Sequence, residues 1–162
     1  MTLSTVPDDG FAIVSGPGNF YTGAAVGFIP PSNGSLESVN LLLKGYDGQK
    51  GQEIYCQFCE SDSNDQPLSG LNFICPAPNN GSLTFFSFRL AAPANLIAAR
   101  LYWIFIYGKL NATNMVHGTK LNWVTGGNPV GEIAYKKSMQ FVLSGFQPSS
   151  IRPAFTLNVI DA

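Results

Sequence analysis

The segment "LYWIFIYG" at residues 101–108 decides which fold class this sequence encodes. Side chains alternate between the two faces of a β-strand. One face would carry Leu101, Trp103, Phe105 and Tyr107. The opposite face would carry Tyr102, Ile104 and Ile106. Because both faces are apolar, such a strand needs cover on both sides. Two explanations stay open: loops fold over the outer face of a central strand, or another subunit or a sugar covers it.

The rest of the chain repeats short apolar runs between turn clusters, at the spacing of a sandwich or barrel. The composition agrees, with 17 Gly, 11 Pro and 12% aromatic residues. We predict an all-β fold, an antiparallel jelly-roll-like β-sandwich of about 8–10 strands. At most one short helix is expected, near residues 93–100 in "AAPANLIAARL". Residues 1–10 are predicted to form an N-terminal arm and residues 11–162 a single β-sandwich domain.

The low charge of the chain limits its partners. Charged residues make up 12% of the sequence, about half of the usual share of roughly 25%. A weakly charged surface can be buried against a partner at low desolvation cost. Lys and Arg number nine, and no basic run is longer than that at 136–137, so we expect no direct contact with nucleic acid. No apolar window is long enough for a transmembrane helix.

Two cysteines lie in a C-x-x-C spacing within "EIYCQFCESD" at 53–62. Together with Cys75 and His117 they make a possible zinc set, and C-x-x-C alone is also a redox signature. In a strand, however, side chains three residues apart point to opposite faces. We therefore predict that Cys56 packs in the core and that Cys59 ends the strand. No metal or cofactor is expected.

Other candidate sites have simpler structural explanations. His117 is the single histidine and lies in a turn-rich segment, and the sequence has no G-x-S-x-G motif. We therefore predict no catalytic residues and no enzymatic activity. The segment "ESDSNDQ" at 60–66 could form a calcium loop, but an Asx-rich turn is the preferred interpretation. Trp123, Tyr102 and Tyr107 are candidates for stacking on a sugar, with core packing as the alternative.

Four stretches carry a family resemblance. They are "AAVGFIPPSNGSLESVNLLLKGY" at 24–46, "IYCQFCESDSNDQPLSGLNFI" at 54–74, "ANLIAARLYWIFIYG" at 94–108 and "AFTLNVIDA" at 154–162. Their order resembles the choice-of-anchor R type of β-sandwich domain, with Tyr102 and Trp103 in the place of that family's Tyr-Trp pair. The resemblance implies a jelly-roll-like sandwich without chemistry of its own. Related sandwiches occur in carbohydrate-binding modules and in phage particle proteins.

These observations favour a non-catalytic structural protein of a larger assembly, most specifically a phage capsid decoration (cement) protein. Its expected partners are further copies of itself, possibly in a trimer, and a major capsid protein. "MTLSTVPDDG" has no basic or apolar region of a signal peptide, so we expect a virion protein made in the host cytoplasm. The alternative is a carbohydrate-binding or adhesion module of a tail fibre or bacterial cell surface. The residues predicted to form the interface or ligand surface are Tyr102, Ile104, Ile106 and Trp123.

Overall fold

The computed structural model describes residues 1–15, 21–46, 52–68, 71–76, 83–110, 120–142 and 145–162. These residues form eleven strands and no helix. The strands are β1 (Thr2–Ser15), β2 (Tyr21–Ile29), β3 (Gly34–Tyr46), β4 (Gln52–Glu60), β5 (Leu71–Pro76), β6 (Leu83–Leu96), β7 (Tyr102–Leu110), β8 (Lys120–Gly131), β9 (Ala134–Val142), β10 (Gly145–Ser149) and β11 (Phe155–Asp161).

The strands pair antiparallel in two sheets. The five-stranded sheet has the order β11-β1-β8-β3-β6, and β11 also pairs with β3. The six-stranded sheet has the order β10-β9-β2-β7-β4-β5. The main core lies between them, with Leu41 and Leu157 from the first sheet packed with Val26 and Ile104 from the second. The prediction of an all-β sandwich is confirmed, with eleven described strands against the expected 8–10.

A turn occupies the place where a short helix was considered. Strand β6 covers the first part of residues 93–100, and the chain then turns at Ala98 and Ala99. Ala99 has a φ of 62°, in the left-handed region that ends regular structure. Its N–H donates to the carbonyl of Pro30 (2.9 Å), and the N–H of Ala98 donates to Oδ1 of Asn33 (2.8 Å). The N–H groups of Ala98 and Ala99 are therefore bound by a second turn, and the N–H of Arg100 closes a single turn by donating to the carbonyl of Ile97 (3.3 Å).

The predicted N-terminal arm at residues 1–10 is wrong, because this segment belongs to the five-stranded sheet. Strand β1 pairs with both β8 and β11. Leu3 is fully buried in the core and Thr5 is 3% exposed. The amino group of Met1 donates to the carbonyl of Val159 at 2.8 Å. The segment is a polar strand in which Leu3 and Thr5 are buried, whereas Thr2, Val6 and Pro7 are exposed.

Strand β11 closes the gap between β1 and β3. Thr156 lies opposite Ser4 of β1 on one side and opposite Asn40 of β3 on the other. The buried side chains of β11 are those of Phe155, Leu157 and Val159. The predicted alternation of this strand is confirmed. The two ends of the described chain are thereby joined in one sheet.

Candidate functional site

The four residues predicted to form an exposed interface lie in the core instead. Tyr102 is 2% exposed, and Ile104, Ile106 and Trp123 are completely buried. All four belong to the cluster between the two sheets. Tyr102, Ile104 and Ile106 lie on the face of β7 that is packed against the five-stranded sheet, and Trp123 belongs to β8 of that sheet. The prediction that these side chains contact a partner or ligand is therefore wrong.

The polar atoms of Tyr102 and Trp123 are satisfied inside the protein. The hydroxyl of Tyr102 accepts a hydrogen bond from the N–H of Ile97 (2.9 Å), and Nε1 of Trp123 donates to the carbonyl of Ala154 (2.7 Å). With those partners both rings can be buried without an unpaired polar group. Trp123 is thus a core residue and offers no ring face to a sugar. The side chain of Tyr107, the third stacking candidate, lies outside the described residues.

The other face of β7 carries a second apolar cluster on the outer side of the six-stranded sheet. Trp103 and Phe105 are its large members, and they are completely buried and 8% exposed, respectively. Ala25, Cys59 and Met139 complete its buried part. Strand β7 is therefore apolar and buried on both faces, as its sequence predicts.

Side chains from neighbouring segments cover Trp103. Its Nε1 donates to Oγ of Ser61, in the turn after β4, at 3.2 Å. The Nζ atom of Lys137 on β9 lies 5.9 Å from the ring centroid, a cation–π distance. The first explanation from the sequence, cover by the chain's own segments, therefore holds at Trp103.

Small residues of β2 make room for the rings of β7. Gly27 lies opposite Trp103, and Ala25 lies opposite Phe105. A Cβ atom added to Gly27 would lie 2.9 Å from the Trp103 ring, and one added to Gly23 would overlap the Phe105 ring. The two rings therefore lie across Gly23, Ala25 and Gly27, a row of small residues that we call the trough. The small residues of β2 therefore allow the large side chains on the outer face of β7 to be buried against their own sheet.

Three phenylalanine rings leave a cleft beside this trough. The ring centroids of Phe105, Phe141 and Phe146 are separated by 5.9 Å (105 to 141), 5.1 Å (105 to 146) and 5.0 Å (141 to 146). The cleft that they border has a volume of about 190 Å³. Its lining, which we call the phenylalanine cleft, consists of Gln57, Pro67, Leu68, Phe105, Phe141 and Phe146. None of these side chains is charged, and Leu68 is 46% exposed.

A second cleft of about 270 Å³ lies at the end of β4 and the start of β7. Its lining, which we call the polar cleft, consists of Glu60, Ser61, Asp65, Arg100, Leu101 and Tyr102. Glu60, Asp65 and Arg100 are exposed. Among the described side chains no salt bridge joins Arg100 to either carboxylate. The polar cleft therefore presents donors and acceptors that are available to a polar ligand.

An Asx turn separates the two clefts. Oδ1 of Asp62 accepts hydrogen bonds from the N–H groups of Asn64 (2.8 Å) and Gln66 (2.9 Å). Asp65 adopts a φ of 56°, a conformation that Asp tolerates better than most residues. The Asx-rich turn predicted at 60–66 is confirmed. Across the ranges the structure describes, no group of three or more potential metal ligands comes together.

The two described cysteines point to opposite faces of β4, as predicted. Cys56 packs between the sheets and Cys59 packs in the outer cluster beside Trp103. Cys59 is a free thiol. Burial raises the pKa of Cys59 to about 12, so this thiol stays protonated and unreactive at neutral pH. The side chain of Cys75 and the whole of His117 lie outside the described residues.

Comparison of the sequence with models of protein families gives no match, and comparison with curated proteins gives none either. The likeness to choice-of-anchor R domains and to a jelly roll therefore stays a prediction. What the structure establishes is the β-sandwich itself. In the described part of the chain, no helix is long and apolar enough to cross a bilayer.

No sequence pattern predicts that the residues bordering the phenylalanine cleft come together. Phe141 and Phe146 face each other across the β9–β10 hairpin, but they lie five residues apart in sequence and carry no motif. Leu68 follows a turn in a polar segment, whose composition predicts a loop and not a contact surface. One signal was available: Gly23, Ala25 and Gly27 alternate along β2, and such a row of small residues indicates that large side chains from a neighbouring strand lie across it.

Filling the trough with a larger side chain should displace the ring that lies on it. We expect Gly27→Ala to lower the free energy of unfolding by about 1–3 kcal/mol, because the new methyl group overpacks against Trp103. Urea unfolding followed by tryptophan fluorescence measures this loss, and the folded emission should shift to the red as Trp103 gains solvent. Gly145→Ala is the control, since nothing lies within 4 Å of a Cβ atom there. Equal stabilities of the two variants would contradict the trough.

The buried thiol should make stability depend on alkaline pH. The folded thiol of Cys59 stays protonated up to about pH 12, whereas an unfolded thiol ionises near 9.0. The unfolded state therefore binds fewer protons above pH 9, and stability falls as the pH rises. From about pH 8 to about pH 10.5 the wild type should lose about 2 kcal/mol more than Cys59→Ala. Parallel pH profiles of unfolding for the two proteins would contradict this assignment.

Proposed function

We propose that this protein is a non-catalytic structural subunit of a larger assembly and that the phenylalanine cleft is one of its contact surfaces. The observation that carries the proposal is an uncharged aromatic cleft on the outer face of a sheet, with the exposed Leu68 at its border. Surface clefts with this apolar character are typical of protein contacts. The fold places the cleft on the solvent side of the sandwich, where a partner can reach it.

The chemistry of the cleft favours burial by a protein surface. Each Å² of apolar area that a partner covers contributes about 25 cal/mol. Among the described residues, no charged side chain lines the cleft, so a partner that covers them desolvates none of their charges. Aromatic side chains in partly enclosed pockets are also the groups that usually dominate interface energies.

The cleft is already ordered before a partner arrives. Phe141 and Phe146 are fixed by their cross-strand pairing, and the Phe105 ring lies over Gly23. The Asx turn built on Asp62 holds the segment that carries Leu68, and the N–H of Leu68 donates to the carbonyl of Glu60 (2.9 Å). Little conformational entropy is then lost on binding.

The specific role that we propose is that of a phage capsid decoration protein. Its partners would be other copies of the same chain, possibly in a trimer, and a major capsid protein, so that it would reside in the virion. The low charged fraction of 12% supports extensive contact with neighbours. Repeated contacts of this kind would stabilise a shell against internal pressure, and the role requires no cofactor, nucleic acid or membrane.

A carbohydrate-binding module is the second candidate, and the polar cleft is the observation that favours it. Carboxylates and a guanidinium group are suitable partners for sugar hydroxyls. The phenylalanine cleft supports this role less, because its rings are inclined to each other by 53° to 72°. Rings inclined in this way do not form one flat platform for a sugar.

A charge placed beside the phenylalanine cleft should disrupt assembly. We expect Leu68→Asp to weaken self-association or capsid binding by about tenfold or more, because the contact would bury an unpaired carboxylate. Sedimentation velocity across a concentration series measures the first effect, and co-sedimentation with intact particles measures the second. Far-UV circular dichroism checks that the variant remains folded.

Val130→Asp is the matched control for Leu68→Asp. Val130 is 62% exposed and lies on β8 opposite Ser4, in the other sheet. The same charge at this position should leave cleft-dependent association unchanged. If Leu68→Asp and Val130→Asp associate as the wild type does, the phenylalanine cleft is not a contact surface. A wild type that stays monomeric and binds no particle would overturn the assembly role.

Glycan binding provides the test of the second candidate. If the role is carbohydrate binding, affinity-gel retention on a polysaccharide should disappear in Arg100→Ala and persist in Leu68→Asp. The reason is that the guanidinium group belongs to the polar cleft alone. Absence of retention on every glycan tested would count against this candidate.

A further inference from the structure

Among the described residues, strand β6 forms one edge of the five-stranded sheet. It spans Leu83–Leu96 and stands last in the sheet order. Within the described residues, β3 is the strand that pairs with it, on one side. Every second residue of a strand directs its N–H and C=O groups away from the paired side. These groups form a row that is able to pair with another strand.

The sequence of the first half of β6 lacks the proline and the clustered charges that usually protect an edge strand. Residues 83–89 read "LTFFSFR" and pair with β3 in unbroken register from Leu83 opposite Lys44 to Arg89 opposite Ser38. This stretch contains no Pro or Gly, and Arg89 is its one charge. A seven-residue segment of this kind, with high β-propensity and low charge, pairs readily with other strands.

The outer strands of the six-stranded sheet differ from β6 in this respect. Strand β10 has five residues and includes Pro148, and β5 has six residues and ends at Pro76. Short length and proline are the means by which proteins keep edge strands from pairing. The second half of β6 is protected by a proline and a bulge. There the register jumps from Arg89 to Ala94, and the bulge contains Pro93. The unprotected stretch is therefore confined to residues 83–89.

We infer that residues 83–89 of β6 pair antiparallel with the same residues of a second copy of this chain. The inference rests on the proposed function, since it names one contact of the assembling subunit. An antiparallel pair of identical strands is related by a two-fold axis, so the same segment supplies both sides of the contact. Each copy offers the same unpaired row of donors and acceptors, and a continuous sheet of ten strands results from two sheets of five. The bulge at Pro93 ends the pairing and fixes its extent.

This contact predicts dimers, or assemblies built from dimers, because a two-fold contact closes after two subunits. Amide hydrogen exchange tests it directly. At concentrations where the chain self-associates, exchange in a peptide covering 83–89 should slow by roughly tenfold relative to the dilute protein. A peptide covering the β5 edge, 71–76, should show no such dependence.

A lysine on the free edge supplies the second test. Ser87→Lys should weaken the dimer by about tenfold or more, because charges on an edge oppose strand pairing. Ser87 is paired in register with Asn40, which is half-buried and is not among the buried core residues. Asn95→Lys is the matched control: it lies on the same strand beyond the bulge, is exposed, and should leave the dimer intact.

The possible results separate the β6 contact from the cleft contact. Slowed exchange at 83–89 together with dissociation by Ser87→Lys establishes the β6 pairing, whatever Leu68→Asp does. Self-association without protection at 83–89, or as an isolated trimer, overturns the β6 pairing and leaves the proposed assembly role in place. A chain that stays monomeric at every concentration overturns the β6 pairing, and if it also binds no particle it overturns the assembly role as well.

Discussion

The pairing of β2 with β7 is the constraint on which the rest of the structure depends. On the inner side, Val26 and Ile104 face each other within the core between the sheets. On the outer side, Trp103 lies over Gly27 and is contacted by Ser61 and Lys137. A strand as apolar as β7 would otherwise expose large rings to water at a cost of about 25 cal/mol per Å². Strand β2 meets both requirements: Val26 fills the core on its inner face, and Gly27 leaves space for Trp103 on its outer face.

The candidate site follows from the way the outer rings are covered. Ser61 accepts the indole N–H of Trp103, which ties the turn after β4 to the sheet. Asp62 then orders that turn through its carboxylate, so that Leu68 lies beside the phenylalanine cleft and Asp65 beside the polar cleft. Two surfaces with opposite chemistry therefore lie on either side of one Asx turn. The apolar surface favours assembly, and the polar one keeps carbohydrate binding as the second candidate.

The five-stranded sheet offers a second way to contact neighbouring molecules, through its outer strand. Its middle is closed, because β11 pairs with both β1 and β3 and the amino group of Met1 is bound by the carbonyl of Val159. At its other end, residues 83–89 of β6 pair with β3 alone among the described strands. A subunit with one apolar cleft and one open strand edge has two independent means of contacting neighbours. This combination suits a protein that joins a repeating assembly better than it suits an isolated binding module.

The sequence by itself determined the fold class and the faces of the strands. Alternation placed Cys56 and Cys59 on opposite sides of β4, made "AFTLNVI" a half-buried strand, and showed that β7 is apolar on both faces. These properties depend only on the period of two residues in a strand, which is local. Tertiary structure decided which face of β7 points inward, so Tyr102, Ile104 and Ile106 became core residues while Trp103 and Phe105 took the outer face. It also drew the polar N-terminal segment into the sheet around Leu3 and brought Phe141 and Phe146 beside Phe105. No local pattern contains this information, because burial depends on which strands become neighbours, and those neighbours are distant in sequence.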